Sequence, residues 1–216
     1  MKSSLLLGSF LALCLGACAV VAPPAGQSEG PWQDGEERGR FRSVYHGFGT
    51  VTGDDDEIVL APRSAEDLSI THGGLVVTRQ EFHQVDFSVI MTTEQQLRRD
   101  PPNPWEVGWV LWNYTDDDHF YAVALKPNGW EISKQDPAYP GKQRFLASGH
   151  EPTFPIGGTN HVSVQQSGDE MAVSVNDRLL ATVVDDEAPY SSGAIGFYTE
   201  DARVRFQDLS IPAASN

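Results

Sequence analysis

The chain has 216 residues, with 30 Asp and Glu against 15 Lys and Arg and a formal net charge of −15 at pH 7. Nucleic acid and anionic membrane surfaces would repel that charge, and strongly anionic polysaccharides are disfavoured unless the basic residues cluster. Solubility outside the cytoplasm accounts for most of the acidity.

Met1-Lys2-Ser3-Ser4 is a short segment with one positive charge, and Leu5 to Leu15 is an apolar run too short to cross a bilayer comfortably. Leu15-Gly16-Ala17-Cys18 then looks like a bacterial lipobox. Cleavage after residue 17 would leave Cys18 as the lipidated N-terminus; an ordinary secretory signal containing a cysteine is the alternative. Acyl chains on Cys18 would hold the protein at roughly 0.8 kcal/mol per buried CH₂. The expected location is the cell envelope, with membrane contact through the lipid only. Ala19, where Asp would signal inner-membrane retention, points to the outer membrane if the cell is Gram-negative. Cys14 leaves with the signal, so the mature domain has no disulfide and must rest on core packing. Residues 18–35, rich in Pro, Gly, Ala and Ser, read as a tether spanning roughly 20–25 Å. One folded domain is expected over residues 36–216.

From Glu36 onward the periodicity is of the strand type. Candidate strands are Arg42–Val51, Glu57–Ala61, Leu68–Thr71, Leu75–Thr78, Gln84–Thr93, Trp105–Tyr114 and His119–Lys126. Trp130–Lys134, Arg144–Ser148, His161–Gln166, Glu170–Asn176, Arg178–Val184, Ala194–Tyr198 and Arg203–Ile211 follow. Turn residues separate them, as in Gly53-Asp54-Asp55-Asp56, His72-Gly73-Gly74 and Ser167-Gly168-Asp169. Glu94–Arg99 has room for one helical turn, and no segment carries a longer helical period. Many short strands without helices indicate an all-β fold, a two-sheet antiparallel β-sandwich or jelly roll. The C-terminal third is patterned most clearly: Val162, Val164, Met171, Val173, Val175, Leu180, Val183, Ile195, Phe197, Val204, Phe206, Leu209 and Ile211 are expected core.

The segment Asn103–Gln135 holds Trp105, Trp109, Trp112 and Trp130, four of the five tryptophans. Thr115-Asp116-Asp117-Asp118 and Pro127-Asn128-Gly129 divide it into a three-stranded meander. Pairing Tyr114 with Phe120 puts Val107, Trp109, Leu111, Tyr121, Val123 and Leu125 on a core face. The opposite face then carries Glu106, Trp112, Tyr114, Phe120, Ala122, Ala124, Lys126, Trp130, Ile132 and Lys134. Aromatic rings among small residues and a few charges suit a flat polar ligand such as a sugar. A second packing face, covered by the 95–104 or 141–155 loop, is the competing reading, and the cost of burying unpaired lysines argues against it. Gln95 and Arg98 before the Pro101–Pro104 loop, and Gln143 after the third strand, are placed to rim that face with donors.

Gly108-Trp109-Val110-Leu111-Trp112, His119-Phe120-Tyr121-Ala122-Val123-Ala124-Leu125 and Asn128-Gly129 resemble concanavalin A-like jelly rolls. The nearest likeness is to the laminin-G-like group that includes 3-keto-disaccharide hydrolase and family-16-like glycosidase domains. Gly193-Ala194-Ile195-Gly196-Phe197-Tyr198 followed by Val204-Arg205-Phe206-Gln207-Asp208-Leu209 is similar to the ending of such domains. The likeness spans Phe82 to Ile211. It implies the fold, and it leaves lectins, carbohydrate modules, hydrolases and lyases open as functions. It also implies room for one structural calcium, with Asp208 where a ligand would stand. The Glu-x-Asp-x-x-Glu strand of family 16 hydrolases is missing, and glycoside hydrolysis uses two carboxyl groups about 5–10 Å apart. Glu106 is the one strong candidate acid or base on the expected face.

Three functions stay open on these residues. The first is a surface lipoprotein whose β-sandwich binds a glycan through Trp112, Tyr114, Trp130, Lys126, Lys134, Gln95, Arg98 and Gln143. The second is a glycan-cleaving enzyme of the keto-disaccharide type using Glu106. The third is a cell-envelope interaction protein without a sugar ligand. No phosphate loop, nucleophile elbow or redox pair is present in the sequence.

Overall fold

The computed structural model describes residues 30–67, 69–99 and 101–212. The lipobox, Cys18 and most of the expected tether lie outside them. The packed structure reaches back past the expected boundary at residue 36. Trp32 is fully buried, its amide donates to Val51 O at 2.8 Å, and its indole donates to Gly53 O at 3.3 Å.

The described residues form fifteen strands in two antiparallel sheets. One sheet has the order β1-β2-β5-β14-β7-β8-β9-β10, with β1 Glu37–Arg38, β2 Phe41–Tyr45, β5 Gly73–His83, β14 Ser192–Glu200, β7 Gly108–Asp116, β8 His119–Lys126, β9 Gly129–Gln135 and β10 Gln143–Gly149. The other has the order β13-β12-β11-β6-β15-β4-β3, with β13 Arg178–Val184, β12 Glu170–Val175, β11 Thr159–Ser167, β6 Asp86–Gln96, β15 Ala202–Ser210, β4 Glu57–Ala61 and β3 Thr50–Gly53. This is the expected jelly-roll β-sandwich.

Some boundaries differ. The expected strand Arg42–Val51 is two strands, β2 and β3, and they belong to different sheets. Residues 69–71 form no strand, and Leu68 lies outside the described residues. β6 runs on as strand through Gln96, where one helical turn was expected, because Gln95 and Gln96 pair with Arg203 and Ala202 of β15.

The two sheets enclose one core. Val162, Val164, Met171, Val173, Val204 and Phe206 are buried there as their alternation requires, and Phe206 stacks on Phe197 across the sheets at 4.6 Å. Leu180 and Ile211 are partly buried against the same cluster.

In the meander, β8 faces as expected, with Tyr121, Val123 and Leu125 in the core and Phe120, Ala122 and Ala124 outside it, whereas Trp109, Leu111 and Trp112 of β7 and Trp130 and Ile132 of β9 face the opposite way from expectation. Val110 pairs with Val123 and Trp112 with Tyr121, but Asp116 pairs with His119, so three residues of β7 oppose Phe120 alone. Asn113 sits in this bulge at φ 52°. On the β14 side Gly193 (φ 149°) accommodates it, since a Cβ there would lie 2.4 Å from the Asn113 carbonyl carbon. Against β14 the strand has one extra residue, Trp112 and Asn113 opposing Ile195 alone, and this breaks the alternation between Trp112 and Tyr114. Val110 and Trp112 therefore enter the core, whereas Trp109, Leu111 and Tyr114 belong to a separate cluster on the outer face of the eight-stranded sheet. Tyr114 does meet Phe120, with ring centroids 6.0 Å apart.

The β8–β9 hairpin corrects the third strand. Lys126 pairs with Gly129 across the two residues Pro127 and Asn128, with Gly129 at φ 132°. Leu125 then opposes Trp130, Val123 opposes Ile132 and Tyr121 opposes Lys134. Trp130 and Ile132 are consequently core residues.

Candidate functional site

Three residues expected on the ligand face are interior. Trp112 is fully buried and stacks on Tyr121 with centroids 5.6 Å apart and a 27° interplanar angle. Trp130 donates its indole N–H to Glu151 O at 3.0 Å. Lys134 is fully buried but not unpaired: Nζ lies 2.7 Å from Asp185 Oδ2 and donates to the carbonyls of Glu187 and Ala188 at 2.8 and 2.9 Å. Asp185 also accepts from the Tyr121 hydroxyl at 2.6 Å and faces Arg144 at 3.2 Å. Burial pushes the Asp185 carboxyl up, and the hydrogen bonds from Lys134, Tyr121 and the Glu187 amide outweigh it and hold the carboxyl below its ordinary range. The lysine that argued for an open surface anchors the 185–188 loop instead.

Glu106 and Arg98 are also withdrawn from solvent. Arg98 Nε donates to Glu106 Oε1 at 2.6 Å, and Nη2 donates to Asp201 Oδ2 at 2.8 Å and to Ile70 O at 3.0 Å. Asn103 adds a 3.0 Å bond to Glu106 Oε1. Glu106 is thus a fully buried member of an ion-pair network rather than an acid presented to a ligand. Gln95 is exposed on β6, in the other sheet. Lys126 is on the outer face but ion-paired with Glu131. Asp208 is exposed on β15 at φ 53°, its amide donating to Asp56 O at 3.1 Å. Among the described residues no group of three or more His, Cys, Asp or Glu is arranged to hold a metal ion.

The outer face carries a different constellation. A groove of about 180 Å³ is lined by Tyr45 of β2, Leu75 of β5, Tyr198 and Glu200 of β14, Trp109 and Leu111 of β7, Asp117, Phe120 of β8, Gln135 of β9 and Gln143 of β10. Seven strands of one sheet converge on it. Of the expected site residues Gln143 lines it, and Tyr114 flanks it, donating its hydroxyl to Asp117 Oδ1 at 3.0 Å. Trp109 was expected in the core; it stands edge-on to Tyr198 with centroids 5.8 Å apart and donates its indole N–H to Trp105 O at 2.9 Å. Gln143 Nε2 donates to Ser133 Oγ at 3.3 Å.

Tyr45, Asp117, Tyr198 and Glu200 were missed. Tyr198 and Glu200 had a signal: in Gly196-Phe197-Tyr198-Thr199-Glu200, buried Phe197 sets the parity that turns its neighbours outward. Tyr45 had none, because β2 carries a register shift between Ser43 and Tyr45.

The groove is electrostatically one-sided. The Tyr198 hydroxyl donates to Glu200 Oε1 at 2.8 Å. Burial pushes the Glu200 carboxyl above its ordinary range; the Tyr198 hydrogen bond opposes this, while Asp201 and Glu106 reinforce it. Burial likewise raises Tyr45 and Tyr198, with Asp117 and Glu200 adding to both. Both phenols therefore keep their protons at neutral pH and remain donors. The arrangement offers flat apolar rings with hydroxyl, amide and carboxyl groups between them.

No protein-family model matches the chain, and no curated protein matches it. Among solved structures it is similar to the carbohydrate-binding module CBM66 from Bacillus subtilis, with a TM-score of 0.62 and 14% identity over 80% of this chain and 95% of that one. It is similar to a segment of a sialidase, with a TM-score of 0.53 and 11% identity over 82% of this chain but 17% of the sialidase. A candidate glycosyl hydrolase from Parabacteroides distasonis matches with a TM-score of 0.50 and 11% identity, over 76% of this chain and 83% of that one. At such identities these likenesses establish the jelly-roll sandwich and nothing about chemistry.

Proposed function

We propose that this chain is a glycan-binding β-sandwich whose site is the outer groove of the eight-stranded sheet. The observation that carries this reading is the lining: Tyr45, Trp109, Phe120 and Tyr198 supply rings for the C–H faces of a sugar, and Asp117, Gln135, Gln143 and Glu200 supply partners for its hydroxyls. The likeness to a carbohydrate-binding module supports it. The volume of about 180 Å³ is below the 300–1,000 Å³ of most small-molecule sites. It suits one sugar ring, with the remainder of the glycan lying along the surface. Lipid on Cys18 would hold the domain at the cell envelope, with outer-membrane placement if the cell is Gram-negative.

Immobilised glycans probed with the full chain, with and without calcium, test the reading. Hits that disappear in Phe120→Ala support it, and an array without hits overturns it. The calcium arm also reads the structural calcium that the family resemblance implies at Asp208.

A second reading is hydrolysis. A carboxyl with a raised pKa in the groove, Glu200, stands with a second carboxylate, Asp117, in the same lining. Glu106, buried on Arg98, is not part of that pair. Product release from an oligosaccharide that stops in Glu200→Gln would favour the enzyme; binding without turnover favours the module.

A further inference from the structure

The two carboxylates of the groove differ from the acids beside them in sequence. Asp116 contacts His119 at 2.7 Å and Asp118 contacts Lys142 at 2.9 Å, whereas Asp117 receives the neutral Tyr114 hydroxyl. Asp201 and Glu106 share Arg98, whereas Glu200 receives the neutral Tyr198 hydroxyl. No ion pair among the described residues includes Asp117 or Glu200, and the groove lining contains no Lys or Arg. The nearby cations lie outside the groove lining. Arg98 is held by two carboxylates and two carbonyls. Arg42 lies in a separate cleft beyond Tyr114 with Glu37 and Glu81.

Tyr45, Trp109, Phe120 and Tyr198 line the same groove as these two carboxyl groups, neither of which has an ion-pair contact among the described residues. Aromatic faces attract cations through the negative face of the ring quadrupole, more strongly when the cation is desolvated. Rings and free carboxylates thus favour the same ligand charge. A neutral sugar would satisfy hydrogen bonds here and leave both carboxyl groups without an ion-pair contact.

We propose that the groove recognises a protonated amino group on its glycan, so that deacetylated amino sugars are its ligand class in preference to neutral, N-acetylated or acidic ones. The inference rests on the groove being the glycan site. The ammonium would sit between Asp117 and Glu200 and take the place that a lysine or arginine occupies beside the neighbouring acids. Raising the pH through the Glu200 pKa strengthens binding until the amine itself loses its proton.

The test is calorimetry on the full chain at about 0.15 M salt, where the screening length is about 8 Å and diffuse attraction to the acidic surface is weak. Glucosamine oligomers, N-acetylglucosamine oligomers and glucose oligomers of equal length are compared near pH 6. The deacetylated oligomer is expected to bind at least about tenfold more tightly than the other two, equivalent to about 1.4 kcal/mol. That preference should disappear in Asp117→Asn/Glu200→Gln. It should persist in Asp169→Asn/Asp177→Asn, which removes the same charge from exposed turns of the other sheet. Should Glu200→Gln fail to fold, the exposed Asp117→Asn alone is expected to reduce the preference. Equal binding of all three oligomers overturns the amino-group inference and leaves the glycan reading standing. A preference that survives the groove variant, or that the remote variant also removes, traces it to net charge and overturns the inference. No binding of any oligomer, together with an empty array, overturns both.

Discussion

Tyr198 and Glu200, two residues apart on one face of β14, are joined by a 2.8 Å hydrogen bond from phenol to carboxyl. That carboxyl is held above its ordinary range by burial first and then, against the phenol's donation, by Asp201 and Glu106. An acid whose folded pKa is raised binds more protons in the folded state, so folding stability falls as pH rises from the unfolded pKa, near 4.5, through the folded one. Glu200→Gln removes this penalty. Urea unfolding from pH 4 to 8 should show the variant gaining on the wild type as pH rises and then holding a constant lead. A lead independent of pH would contradict the assignment.

Phe120 and Trp112 separate groove from core. Phe120→Ala should lower glycan affinity about tenfold or more, because stacking on a ring is worth about a kcal/mol or above. Trp112→Phe should leave affinity unchanged. Its cost falls on stability, about 1–3 kcal/mol by chemical denaturation, since Trp112 Nε1 has no hydrogen-bond partner among the described residues to lose. Weaker glycan binding in folded Trp112→Phe would return that side chain to the site.

How much of this was legible varies with parity. The C-terminal strands could be read residue by residue, because Val162–Val164, Met171–Val175 and Val204–Phe206 keep an unbroken alternation. The strand with more aromatics than any other could not. A period of two carries no information across Asn113, where β7 has one residue more than β14 and the alternation of inward and outward side chains is broken. The lysine argument failed for a related reason. Sequence shows that Lys134 is charged but not that Asp185, far along the chain, arrives to pair with it. The Arg98–Glu106 pair is equally silent, since a proline-rich loop rather than a regular element brings the two together.

Lys134 and Asp185 form a buried pair, and removing one partner leaves the other charged in the interior. Lys134→Met should cost about 3–5 kcal/mol. The folded Asp185 pKa is depressed, so the stability it contributes is present above its unfolded pKa, near 3.8, and is lost as pH falls through the folded value. Wild-type unfolding free energy should therefore drop in acid more steeply than that of Lys134→Met/Asp185→Asn. Equal acid slopes would mean the pair is not what depresses Asp185.

Asn113 holds the bulge at φ 52° and donates its amide to Gln166 Oε1 at 2.9 Å and to Tyr190 O at 2.7 Å. Asn113→Gly loses those bonds but keeps the backbone conformation at little cost. Asn113→Val loses the same bonds and adds left-handed strain of about 1–2 kcal/mol or more for a β-branched residue. Thermal unfolding should rank wild type above glycine and glycine well above valine. Equal losses for the two variants would show that the backbone geometry carries no strain.

The lysines have a practical consequence for how the protein is handled. Of the three in the described residues, Lys134 has a side-chain exposure of 0%, Lys126 of 17% and Lys142 of 57%. Among the described lysines, amine-reactive dyes, biotin esters and sensor-chip coupling would therefore fall chiefly on Lys142, whose next neighbour Gln143 lines the groove. A protein attached to a surface that way would present its site to the matrix and read as inactive. Attachment through the C-terminus, or labelling after Lys142→Arg, avoids that blind orientation.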